Sequence, residues 1–160
     1  MGVLLLALTG CSNLNPLNWF SDDESEQPAE LQDISVEARL TRTWSVNVGN
    51  GQGDNYNKLV PAIVGDRVFA VSEDGALVAV NLNNGDVIWR NRTRETITGG
   101  VGAGNGMVML GTENAEVIVY DAADGNERWR ASVSSEVLSP PQTNGDIVVL
   151  QTVDDKLIAR

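Results

Sequence analysis

Residues 82–90 read LNNGDVIWR, and forty residues later residues 122–130 read AADGNERWR, so that Gly85 falls on Gly125 and Trp89 on Trp129. Working outward in both directions keeps this register. Val68-Phe69-Ala70-Val71 lies over Val108-Met109-Leu110-Gly111, and Leu77-Val78-Ala79-Val80 over Val117-Ile118-Val119-Tyr120. A second shift of forty brings Val148-Val149-Leu150 under Val108-Met109-Leu110, and Leu157-Ile158-Ala159 under Val117-Ile118-Val119, without a gap. Two full units, 59–98 and 99–138, and part of a third, 139–160, mark a repeat architecture.

Within each unit, short apolar runs alternate with turn signals: Glu73-Asp74-Gly75, Asn83-Asn84-Gly85, Asn105-Gly106, Asp124-Gly125 and Asn144-Gly145. These are hairpin connections. Runs such as Val117-Ile118-Val119-Tyr120 are apolar on both faces and suit strands sandwiched between layers. Helical repeats of similar period need sustained 3.6-residue periodicity, whereas the apolar runs here are short and bounded by turn signals. The expected fold is therefore all-β, a β-propeller of four-stranded antiparallel blades. The last strand of a unit alternates, with Trp129, Ala131 and Val133 on one face and Arg128, Arg130 and Ser132 on the other. The glycine turns the chain into this outer strand, and the tryptophan on it is expected to pack on the adjoining blade. The predicted blade-docking residues are Trp44, Trp89, Trp129, Gly85 and Gly125. Trp44, Val46 and Val48 repeat the alternation with no unit before them, so residues 41–48 read as an orphan closing strand whose partners lie elsewhere. Since closed propellers need at least four blades, the expectation is an N-terminal fragment of about two and a half blades.

Upstream of the repeats the composition changes. Residues 12–40 hold seven acids against Arg39 alone, a net charge of −6 out of −11 for the whole chain. They show no sustained period and contain Pro16 and Pro28, which predicts an acidic flexible tether. So acidic a chain repels phosphate backbones and argues against nucleic acid as a partner. It contains no histidine and a single cysteine, Cys11, which removes the commonest general base, soft metal ligation and any intrachain disulfide. Residues 1–11, MGVLLLALTGC, are apolar but too short to cross a bilayer, and read as the h-region of a signal peptide. LTGC resembles the bacterial lipobox, which implies lipid attachment at Cys11. The missing Lys or Arg of an n-region predicts that the true start lies further upstream. Ser12 after the cysteine resembles the sorting signal for the outer membrane, and three acyl chains on one cysteine suffice for lasting anchorage.

The segments VNLNNGDVIW and YDAADGNERW resemble the PQQ-like, or quinoprotein-type, repeat Ala-x-Asp-x-x-Thr-Gly-x-x-x-Trp, with Asn84 and Asp124 in place of its Thr and Asn81 in place of its Asp. WD40 repeats match less well, because Arg follows each Trp and no His is present. Joined to a lipobox, an acidic tether and residues 53–81, GDNYNKLVPAIVGDRVFAVSEDGALVAVN, the repeats resemble the BamB family, the propeller lipoproteins of the outer-membrane β-barrel assembly machinery. That resemblance implies eight blades, no enzymatic activity, no cofactor, and a lipid-anchored position on the periplasmic face of the outer membrane. It implies BamA and other components of the assembly complex as partners, with nascent β-barrel proteins as a further one. The family residues tied to the central subunit lie in later blades, so none is carried onto this chain. The alternatives are a PQQ-dependent quinoprotein dehydrogenase, with the quinone on an axial tryptophan beside Ca²⁺, and a lipid-anchored propeller adaptor with another partner. The tryptophans here fall on outer strands, and no oxygen ligands stand at calcium-loop spacing.

Two further stretches carry signals of their own. GGVGAGNG, residues 99–106, offers no GxGxxG frame and no following helix, and so reads as an inner strand and turn, not a phosphate loop. Arg90, Arg92 and Arg94 are expected on one face of an outer strand, with Arg128 and Arg130 on the next. Such a stripe guards a sheet edge against pairing, and its members are the candidate residues for binding an acidic partner or the chain's own acidic tether.

Overall fold

The computed structural model describes residues 38–53 and 59–160. Cys11 and the acidic stretch as far as residue 37 lie outside the described residues. The chain divides into units 1–40 and 41–160, and the second carries every strand among the described residues.

Three antiparallel sheets follow one another along the chain. The first runs β1 (Ala62–Val64), β2 (Arg67–Val71), β3 (Ala76–Asn81) and β4 (Val87–Arg92), hydrogen-bonded in that order. The second repeats the plan as β5 (Ile97–Gly104), β6 (Met107–Thr112), β7 (Glu116–Asp121) and β8 (Glu127–Ser132). The third holds β9 (Gln142–Thr143), β10 (Val148–Gln151) and β11 (Leu157–Ala159). Pairing registers repeat with the sequence: Phe69 faces Ala79 as Met109 faces Val119, and Ala79 faces Trp89 as Val119 faces Trp129. Just beyond each of those last pairs the register slips, a β-bulge that adds local twist to the outer strand.

The two-residue alternation of a strand explains how one sheet serves two interfaces. Phe69, Val71, Leu77 and Ala79 point to one side, where they meet Ile97, Val108, Leu110, Ile118 and Tyr120 of the second sheet. Val68, Val78 and Val80 point the other way and receive Trp44, Val46 and Val48. In the second sheet Met107, Met109, Val117 and Val119 turn toward Val137, Val148 and Leu150 of the third region. Strands apolar on both faces are thus buried on both, which is why β7 is buried along its four central residues. Sheets stacked face to face, each with its strands in chain order from inner to outer, are successive blades of a β-propeller.

The glycine-rich run forms β5 and its turn, not an anion loop. Val60 donates its N–H to the Gly100 carbonyl at 3.0 Å and accepts from Val101 at 2.9 Å, seating the start of the first blade on this strand. From the other side, the Pro141 carbonyl occupies the place a Cβ on Gly102 would take. The strand closes into β6 through Asn105 and Gly106, with φ of 49° and 74°, a type I′ pattern suited to the twist of a two-residue hairpin.

Candidate functional site

The residues that recur most plainly lie where blades join. The Trp44 indole Nε1 donates to the Leu82 carbonyl at 2.8 Å, and its ring lies on Gly85. One unit later, Trp89 Nε1 donates to the Ala122 carbonyl at 3.1 Å and its ring lies on Gly125. A tryptophan from one outer strand therefore seats in the β3–β4-type turn of the next blade. Gly85 and Gly125 each have φ of 75°, and an added Cβ would come within 2.9 Å and 2.5 Å of the respective indole rings. Glycine is required twice over, for the left-handed turn and for the ring laid on it. Arg67 braces the second seat by donating from Nη1 to the same Ala122 carbonyl at 2.7 Å. Phe69 meets Trp89 with ring centroids 5.9 Å apart. Trp129, with Ala131 and Val133, packs against the cluster shared by the second and third blades. Residues 43–48 run along the first sheet through Trp44, Val46 and Val48, but join no ladder among the described residues.

The opposite end of each blade carries a second fastening. Glu73 N–H donates to the Gly51 carbonyl at 3.0 Å, Glu113 to Thr96 at 3.1 Å, and Val153 to Glu136 at 3.0 Å. Each bond links the loop leaving one outer strand to the hairpin of the following blade. Sequence periodicity alone did not point to these bonds, because the donors differ in side chain and only their backbone recurs.

The arginines divide into two groups. Arg128 donates from Nε and Nη2 to Asp121 at 3.1 and 2.7 Å, which holds the Asp121 carboxyl below its usual range. Arg130 grips Glu127 with Nε and Nη2, both at 2.9 Å, while Nη1 reaches Glu116 at 3.2 Å and Glu95 at 3.4 Å. These bonds, Glu127's first, raise Arg130 above the ordinary arginine value and lower Glu127. Arg92 pairs with Asp74 at 2.7 Å; Asp74 is lowered first by the Ser72 hydroxyl and then by Arg92. Strand β4 ends at Arg92, so Arg94 sits in the following bend and the expected row of three on one strand face is two. Among the described residues, Arg90 and Arg94 have no ion pair or side-chain hydrogen bond. The carboxylates around Arg130 leave no pattern in the sequence, because they come from three different segments. Among the described residues there is no group of three or more acidic or cysteine side chains placed to hold a metal.

The family described as outer membrane protein assembly factor BamB matches residues 27–97 and 73–160. An outer membrane protein assembly factor BamB of Nitrosomonas eutropha is 37% identical over 96% of this chain and 39% of its own length. Its counterpart in Pseudomonas aeruginosa is 45% identical over 68% of this chain and 27% of its own. The chain thus spans two fifths or less of these relatives. The crystal structure of BamB from Moraxella catarrhalis superposes with a TM-score of 0.59 at 27% identity, covering 66% of this chain and 32% of that one.

Proposed function

The chain belongs to the family of the outer membrane protein assembly factor BamB, and from that premise we propose that it serves as a non-enzymatic scaffold in the assembly of outer-membrane β-barrels. In this reading Cys11 carries the lipid that holds the protein to the periplasmic face of the outer membrane, and the acidic segment after it acts as a tether. The blades bind BamA within the assembly complex and assist insertion of nascent barrel proteins, without cofactor chemistry. Trp44, Trp89 and Trp129 dock blade on blade. The observation that carries the reading, beside the family match over residues 27–160, is where the repeat's tryptophans lie. Trp89 and Trp129 sit on β4 and β8, the outer strands, against turns and apolar side chains of their own and the next blade, where a scaffold needs rigidity. In the quinoprotein alternative a tryptophan would carry the quinone in the axial funnel, whereas Trp89 and Trp129 lie on outer strands.

The test is purification of the full-length lipidated protein from its native membrane in mild detergent, with mass spectrometry of stoichiometric companions and an absorbance scan. The expected result is co-purification of a large barrel protein with periplasmic domains, and release of the Cys11→Ala protein from the outer-membrane fraction. A bound quinone chromophore without a barrel partner would overturn the proposal.

A further inference from the structure

Arg90 and Arg130 occupy the same position in successive outer strands, forty residues apart, yet Arg130 stands among carboxylates and Arg90 does not. Arg130 is enclosed by Glu127, Glu116 and Glu95. Stepping back one unit, the forty-residue shift places Val87 at the position of Glu127 and Ala76 at that of Glu116. For the preceding loop the offset is that of Trp44 to Trp89, which places Asn50 at the position of Glu95. The paired backbone bonds Glu73 to Gly51 and Glu113 to Thr96 fit the same offset, so the equivalence holds in space as well as in sequence. All three carboxylates that satisfy Arg130 are thus uncharged residues around Arg90.

Where those carboxylates would stand there is room. An open cleft of about 690 Å³ lies between the extended segment 47–49 and the outer strand, with Asn47, Val48, Gly49, Ala76, Leu77 and Arg90 among its walls. That volume falls in the range of ligand-sized sites. The neighbouring cation, Arg92, is engaged by Asp74. Arg90 therefore presents a full guanidinium fork in a cleft whose walls are part apolar, from Val48 and Ala76, and part polar, from Asn47 and Asn91, and the second blade shows what such a fork takes in this geometry: a bidentate carboxylate with two bonds of 2.9 Å.

We propose that this cleft is a docking site for an acidic segment of a partner protein, whose Glu or Asp side chain completes around Arg90 the clasp that Glu127 completes around Arg130. The partner's flanking apolar side chains lie against Val48 and Ala76. The chain's net charge of −11 does not prevent this, because at physiological ionic strength charges more than about 8 Å away are largely screened and the local cation governs the contact. The site rests on the contrast between the two blades and is independent of the assembly-scaffold reading.

The experiment is fluorescence anisotropy of the full-length protein with a labelled peptide of alternating Val and Glu, against the same peptide with Gln for Glu. The Glu peptide is expected to bind at least about tenfold more tightly, as a charge-assisted bidentate contact implies, and the advantage should fade with added salt. Arg90→Gln should abolish that advantage while Arg94→Gln retains it. The double variant Val87→Glu/Ala76→Glu, which rebuilds the clasp internally, should abolish it with Arg90 still present. Equal binding of both peptides, or retention of the advantage in Arg90→Gln, would overturn the proposal. So would a monomer–dimer equilibrium that Arg90→Gln shifts in sedimentation, since the occupant would then be a second copy of this chain.

Discussion

Replacing Gly125 by alanine separates the two demands the structure places on that residue. Its φ of 75° is left-handed, which costs an alanine about 1–2 kcal/mol. The new Cβ would also stand 2.5, 2.8 and 2.9 Å from Trp89 Cε3, Cδ2 and Cζ3. Carbon atoms in contact normally keep about 3.5–4.0 Å, so the ring must retreat by roughly 1 Å, and overpacking of this kind costs about 1–3 kcal/mol. The sum is roughly 2–5 kcal/mol. Gly65 supplies the control: its φ is 61° and nothing lies within 4 Å of a Cβ there, so Gly65→Ala should show the backbone part alone, about 1–2 kcal/mol. Urea unfolding of the full-length protein, followed by far-ultraviolet circular dichroism, measures both. In a Trp89→Ala background the clash is gone, and Gly125→Ala should fall to the Gly65→Ala level, a coupling of about 1–3 kcal/mol. If Gly125→Ala costs no more than Gly65→Ala in the presence of Trp89, the tryptophan is not what demands glycine, and the account of the joint is wrong.

Trp89→Phe should cost only about 1–2 kcal/mol, because the Ala122 carbonyl keeps its 2.7 Å bond from Arg67; with Arg67→Ala added, the loss in urea midpoint should exceed the sum of the single changes. Residues 1–160 should contribute no change of stability between about pH 5.5 and 8, since they contain no histidine. Asp154 is lowered from 3.8 to about 2, first by Lys156 and then by Thr152, and Asp74, Asp121 and Glu127 are lowered too. Their stabilisation is present above the ordinary carboxylate values and is lost as pH falls through the depressed ones, so the midpoint should drop below about pH 4, and less steeply in Asp154→Asn. A midpoint unchanged down to pH 2 would contradict these pairings. Tyr120, buried and pushed up to about 12, should stay neutral at pH 11, so the phenolate absorbance that Tyr120→Phe removes should appear only near pH 12 or with unfolding. A reversible rise of that component centred near pH 10 would mean that Tyr120 is not buried as described.

Much of the fold was legible because a strand's two-residue period and a hairpin's turn residues are local properties. The alternation of Val68 with Phe69, or Val78 with Ala79, already states that both faces of the sheet are covered, and Asn105-Gly106 states where the chain reverses. The candidate surface was less legible. Five arginines stood out in the sequence, but only position in space distinguishes Arg130, held by carboxylates 3, 14 and 35 residues away, from Arg90, which lacks all three. Alternation along β4 does not reach Arg94, because the strand ends at Arg92 and the chain bends there.

The sequence by itself determined the forty-residue unit, its strands and turns, and the face on which each tryptophan lies, since all of these follow from backbone geometry over a few residues. Only the tertiary structure decided what the Gly and Trp of the repeat do together. Within one unit they are four residues apart, Gly85 and Trp89. The contact that matters joins Trp89 to Gly125 of the next unit, and Trp44 to Gly85 before it. A ring meeting a missing side chain 36 or 41 residues away leaves no local pattern, because it arises only when two sheets stack face to face and one backbone must yield its Cβ to the other's indole.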